Sequence, residues 1–156
     1  MEQSLSIPDA LRLDGFGAFR NDSVMTFHAS LPSPGTPFAV AGQLVADSVA
    51  GEQVEVAAFA YCDRAGRVLG MRHARGVAAD VVDLPVRRVA IDALSLDAAV
   101  VVMAHNHPRG EAWPSRADRD ATRRLADALR TFGVRLHEHL VVGAGGAWSF
   151  RAAGLL

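Results

Sequence analysis

The stretch His105-Asn106-His107-Pro108-Arg109-Gly110-Glu111-Ala112-Trp113-Pro114-Ser115-Arg116-Ala117-Asp118 concentrates side chains that can do chemistry. His105 and His107 close a short apolar run, Ala98–Ala104, that reads as a strand. Alternation along a strand puts both imidazoles on one face, where two ring nitrogens can meet one metal ion. Asp118 falls in the first turn of a helix predicted from about Ser115 to Phe132 and stopped by Gly133. The expected inward stripe of that helix is Ala121, Leu125, Ala128 and Phe132, and Asp118 lies three residues before Ala121 on the same stripe. An inward carboxylate needs a partner, because a buried unpaired charge is expensive. A cation shared with the two histidines supplies one. Each half also has a plain structural reading: Ser115-x-x-Asp118 fits a capping box, and two histidines can simply sit in a loop. The whole four-position pattern, in a chain with 6 His, 9 Ser and 12 Asp, arises by chance in roughly one chain in a thousand.

Two histidines, one carboxylate and a position left for water make a zinc pattern of the catalytic type. Closed structural zinc sites are usually rich in cysteine, and Cys62 stands alone here. Water acidified by zinc still needs a base to take its proton and pass it to a leaving amine. Three glutamates precede the motif: Glu2, Glu52 and Glu55. Glu55 sits near the start of a predicted buried strand, Val54–Cys62, where a carboxylate has little structural purpose. Glu52, in a polar turn, is the reserve. A second His-x-His, His137 and His139, has no third ligand nearby in sequence, so His139 reads as a hydrogen-bonded residue near the sheet.

The elements that must position these residues are legible in outline. Thr36-Pro37 reads as an N-cap and first helical position, opening a helix to about Ala50. Val54–Cys62 and Arg67–Ala74 read as strands joined by the turn Asp63-Arg64-Ala65-Gly66. Pro85 opens a helix whose expected apolar face is Val86, Val89, Ala90, Ala93 and Leu94. Val134–Val142 and Ala147–Arg151 read as strands across a tight glycine-rich hairpin. Helices alternating with hairpins predict an α/β fold, a mixed sheet flanked by helices. Residues 1–35 read weakly, as an N-terminal extension with two short apolar stretches that could pair as a β-hairpin.

With 156 residues, half of them apolar, the chain suits one domain with a sizeable core. A net charge of −1 argues against a dedicated nucleic-acid binder. All 16 basic residues are arginine, which a GC-rich coding sequence explains simply. No apolar run approaches the roughly 18 residues of a membrane span. The N-terminus has neither basic start nor apolar core of a secretory signal. A cytoplasmic location with no membrane partner is the expectation.

HNHPxGxxxPSxxD, with His139-Leu140-Val141-Val142-Gly143 and the terminal Ser149-Phe150-Arg151-Ala152-Ala153-Gly154-Leu155-Leu156, resembles the RadC-like branch of the JAMM (MPN+) metalloproteases. The resemblance covers residues 36–156. It implies the cytidine-deaminase-like (JAB/MPN) three-layer α/β domain, with zinc held by His105, His107 and Asp118. It implies Glu55 as proton shuttle, and supports it over Glu52. Ser115 is implied as hydrogen-bond donor to the oxyanion, a contact worth roughly 3–4 kcal/mol. Arg109 and Trp113 depart from the family's usual serine and small residue, at positions that bear on substrate choice. Full-length members carry helix-hairpin-helix segments before this domain, and residues 1–35 lack that character. The resemblance therefore favours a stand-alone peptidase or isopeptidase that cuts after the C-terminus of a ubiquitin-like protein, with co-encoded activating and conjugating enzymes as expected partners. The alternatives are a DNA-repair-associated RadC-like accessory protein and a scaffolding domain without chemistry.

Overall fold

The computed structural model describes residues 35–75 and 84–156. The hairpin expected in the N-terminal extension lies outside the described residues. The elements run α1 (Ala39–Val49), β1 (Val56–Cys62), β2 (Val68–Arg75), α2 (Val86–Ser95), β3 (Val100–Asn106), α3 (Arg116–Thr131), β4 (Arg135–Gly143) and β5 (Gly146–Ser149). The five strands form one sheet in the order β2-β1-β3-β4-β5. β3 and β4 are parallel, and the other neighbours are antiparallel. This is the mixed sheet expected from the sequence.

Strand alternation sorts the core into two layers. Val56, Ala58, Ala60, Cys62, Val100, Val102 and Ala104 pack with α1. Ala57, Phe59, Tyr61, Val101 and Met103 pack with α2 and α3 on the other face. β1 and β3 are buried along their whole length, which explains why they read as continuous apolar runs. Parallel pairing of β3 with β4 requires a crossover, and α3 supplies it. Leu125 and Leu129 of α3 are fully buried, so truncating either to alanine costs about 2–5 kcal/mol.

Three local expectations are corrected. Helix α1 begins at Ala39 with Phe38 at its N-cap, and no side chain caps it. Thr36 contributes only its carbonyl, which accepts the Ala39 N–H at 3.1 Å. Pro37 packs instead against Gly66, where an added Cβ would lie 1.8 Å from the Pro37 carbonyl oxygen and φ is +88°. In α3 the buried stripe is Asp118, Ala121, Thr122, Leu125 and Leu129. Phe132 ends the helix and is half exposed, because Gly133, at φ +73°, turns the chain back toward the sheet there. In α2, Leu94 faces solvent while Asp92 is buried.

Candidate metal centre

The site forms where β1, the end of β3 and the start of α3 meet. Antiparallel pairing sets Ala57 against His105. Glu55 lies two residues before Ala57 and His107 two residues after His105, so the same register carries the carboxylate to the second imidazole. Asn106, between the histidines, points to the other side and holds that register. Its Oδ1 accepts the Val56 N–H at 2.7 Å. Its Nδ2 donates to the carbonyls of Glu52 at 3.1 Å and Val54 at 3.0 Å. The backbone flanking Glu55 is thereby tied to the strand that carries the histidines.

Asp118 arrives from α3 through a complete capping box. The Ser115 hydroxyl oxygen accepts the Asp118 N–H at 3.0 Å, and Asp118 Oδ2 accepts the Ser115 N–H at 2.7 Å. The loop between strand and helix rests on the β4–β5 hairpin. The His107 N–H donates to the Val142 carbonyl at 2.8 Å, and Ala144 N–H to the Gly110 carbonyl at 3.2 Å. The approach is so close that a Cβ on Gly143 would lie 2.4 Å from Ala112 N, which is why that hairpin position suits glycine.

Glu55, His105, His107 and Asp118 each offer one ligand atom, and these atoms all lie within 4.8 Å of one another. His105 Nε2 is 3.0 Å from His107 Nε2 and 3.3 Å from Asp118 Oδ1. His107 Nε2 is 3.4 Å from Asp118 Oδ2. A tetrahedral zinc ion with bonds of about 2.0–2.1 Å sets its ligand atoms about 3.3 Å apart. The separations are of that size, with His105 facing Oδ1 and His107 facing Oδ2 of the same carboxylate. His107 Nδ1 lies 2.9 Å from the Glu111 carbonyl. A carbonyl only accepts, so Nδ1 carries a proton, and in the neutral ring the Nε2 lone pair faces the cluster. The donor set fits a divalent cation, and Glu55 and His107, both half-buried, form its solvent side.

Electrostatics agree with a site built for positive charge. Burial pushes the Asp118 carboxyl up, but hydrogen bonds from His105 and His107 outweigh it and hold the group well below the usual carboxylate range. The hydrogen bond to Asp118 raises His107 above its ordinary value, against the opposing effect of burial. His139 lies behind the cluster, fully buried, and burial followed by the charge of His105 keeps it well below its usual value.

The structure thus brings together the four side chains read from the sequence as ligands and proton shuttle. His105, His107 and Asp118 converge, Glu55 joins them, and Ser115 caps the helix beside them with its side chain exposed. Glu52 is elsewhere, in an ion pair with Arg75 at 3.1 Å. His137 and His139 form no second cluster among the described residues. Trp113 is 65% exposed and packs edge-on against Trp148 at 5.7 Å, so its ring both braces the loop and faces solvent. Asn106 and Thr122 were missed by sequence reading. Asn106 gave no usable signal, whereas Thr122 stands four residues after Asp118 on the same stripe.

Comparison with known proteins follows the same lines. Residues 36–155 match the family described as RadC-like JAB domain. A UPF0758 protein of Alcanivorax borkumensis is 38% identical over 114 residues, covering 73% of this chain and 51% of the relative. A UPF0758 protein of Vibrio cholerae is 38% identical over 95 residues, covering 61% and 60%. One of Symbiobacterium thermophilum is 51% identical over 70 residues, covering 45% and 30%. The matched region therefore spans between about a third and three fifths of these relatives' length. With the matched family spanning the described site from α1 to the C-terminal turn, the chain belongs to the RadC-like JAB domain family.

Proposed function

We propose that the chain is a zinc-dependent peptidase or isopeptidase that hydrolyses the bond following the C-terminus of a ubiquitin-like protein, in deconjugation or precursor processing. The observation that carries this reading is the convergence of Glu55 on the His105, His107 and Asp118 triad. Those three would hold a zinc ion, which would supply Lewis acidity toward a water and a carbonyl. Glu55 takes the water's proton and delivers it to the departing amine. The Ser115 oxygen already accepts the Asp118 N–H, so its own proton is left to donate to the developing oxyanion. The exposed Trp113 ring offers an apolar flank for a substrate tail. Ubiquitin-like activating and conjugating enzymes are the partners this reading calls for.

The test is metal analysis together with cleavage of a ubiquitin-like fusion, with and without chelator. Stoichiometric zinc and chelator-sensitive cleavage are expected. A zinc-loaded protein that leaves every such fusion intact removes the peptidase reading.

A specific observation favours a second reading, a RadC-like accessory protein acting at DNA. Arg119, Arg123, Arg130, Arg135 and Arg151 line a groove of about 580 Å³ between α3 and the C-terminal turn, with Asp127 among them paired to Arg130 at 2.6 Å, so arginines outnumber acids there. Local positive charge of this kind suits a phosphate backbone even when the whole chain is near neutral. Salt-dependent DNA binding that arginine-to-glutamine changes in this groove abolish would support it.

A further inference from the structure

His139 lies against the metal cluster but is neither a ligand nor a part of the proposed reaction. It is 1% exposed, and its ring lies flat on Phe150, with centroids 4.5 Å apart and planes 5° from parallel. Its Nε2 is 2.6 Å from His105 Nδ1. Its Nδ1 is 2.7 Å from Thr122 Oγ1, which in turn is 2.6 Å from the Asp118 backbone carbonyl oxygen. Two of these three contacts join groups that can each donate or accept. The third does not, because a carbonyl oxygen only accepts.

That one fixed end decides the direction of the rest. Thr122 has a single hydroxyl proton, and the carbonyl takes it. Thr122 Oγ1 must then accept from His139, so His139 carries its proton on Nδ1. A neutral imidazole protonated at Nδ1 has its lone pair at Nε2, which accepts from His105 Nδ1–H. His105 is left with a lone pair at Nε2, the atom that faces His107 and Asp118.

We infer that Thr122 and His139 are positioning residues that hold His105 with its proton on Nδ1, and so make Nε2 its ligand atom, through a hydrogen-bond chain anchored on the Asp118 carbonyl. The inference rests on the metal-centre reading. Asp118 serves it twice: its carboxylate faces the cation position, and its backbone anchors the chain that orients His105. His107 is oriented by the same logic in one step, through the Glu111 carbonyl. Using a neutral histidine behind His105 avoids placing a second charge in a fully buried position.

The test combines nitrogen-15 NMR of the histidine rings in metal-free protein at pH 8 with zinc affinity measured by chelator competition. His139 is expected as the Nδ1-protonated tautomer in the wild-type protein. Thr122→Val is expected to weaken zinc binding by about 10–100-fold, and Thr122→Ser, which keeps the hydroxyl, to restore most of it. A wild-type His139 protonated on Nε2, or a folded Thr122→Val protein that binds zinc as tightly as wild type, overturns the inference. Should Thr122→Val fail to fold, the wild-type tautomer and Thr122→Ser still decide it. Wild-type protein with the Nδ1 tautomer but no zinc affinity supports the direction of the chain and overturns the metal-centre reading instead.

Discussion

Two buried aspartates stand on the same side of the sheet and meet opposite surroundings. Asp92, in α2, is 6% exposed, and Asp118, in α3, is 3% exposed. Asp92 accepts from the Tyr61 hydroxyl at 3.1 Å and from Arg72 Nη2 at 3.1 Å, with Arg72 Nε closer still. Arg88 Nε adds a contact at 3.4 Å. Arginine cannot give up its proton in a protein, so this carboxylate carries its counter-charge permanently. The cost of the arrangement falls on Tyr61, whose hydroxyl burial and the Asp92 charge push far above its ordinary value. Asp118 faces imidazole nitrogens instead, and at least one of them has its lone pair turned inward by a backbone carbonyl. The first region is a closed strut, complete within the chain. The second gathers acceptor atoms in a set that fits a cation. The difference lies in the donor and acceptor balance around the carboxylate, not in its burial.

That contrast can be broken most sharply at the reacting group. Glu55→Gln is expected to slow cleavage of the ubiquitin-like fusion by about 10²–10⁴-fold while zinc content by metal analysis stays unchanged. Next in size, Asp92→Asn is expected to destabilise the fold by about 3 kcal/mol, because it removes the buried carboxylate charge that pairs with Arg72. Urea unfolding measures this, and zinc affinity should not move. Asp118→Asn should do the reverse. It should abolish the zinc-dependent gain in stability, which is about 2.7 kcal/mol at a hundredfold excess over Kd, with a much smaller effect on the metal-free protein. Equal losses from both aspartate variants in chelator-treated protein would erase the distinction. Asn106→Ala leaves the buried Val56 N–H without its acceptor and should cost about 1–3 kcal/mol. Because it loosens the segment around Glu55, turnover should fall while zinc affinity holds.

The smallest effect is a control on pH, outside both regions. Burial, followed by the positive charges of Arg151 and Arg135, pushes His137 from about 6.5 down to about 4. The unfolded chain therefore binds the His137 proton more tightly than the folded one between those values. This part of the stability is complete above about pH 6.5 and is lost as pH falls toward 4. His137→Phe, which keeps a ring against Phe38, should flatten the slope of the unfolding midpoint over that window.

The sequence by itself picked out the candidate ligands His105, His107 and Asp118, because they lie within one strand–loop–helix segment. Alternation and helical spacing act over a few residues and can be read from a string. They also placed Asp118 on the inward stripe, though the end of that stripe rotated from Ala128 and Phe132 to Leu129. The choice of Glu55 over Glu52 rested on its place at the start of a buried strand and was supported by resemblance, and the contact that brings it to His107 came only from the antiparallel register of β1 on β3. His139 depended on more remote geometry still. The pairing of β4 with β3 shifts between Val101 and Val102, so that Leu136 opposes Val101 while His139 opposes Met103. Without that shift, strict alternation from Leu136 would have turned Glu138 toward α3 in its place. Asp92 was invisible for the same reason, since its partners Tyr61 and Arg72 come from two other strands. Only the tertiary structure decided these contacts: they join residues far apart in the chain, and a single-residue change of strand register reverses which side chains meet.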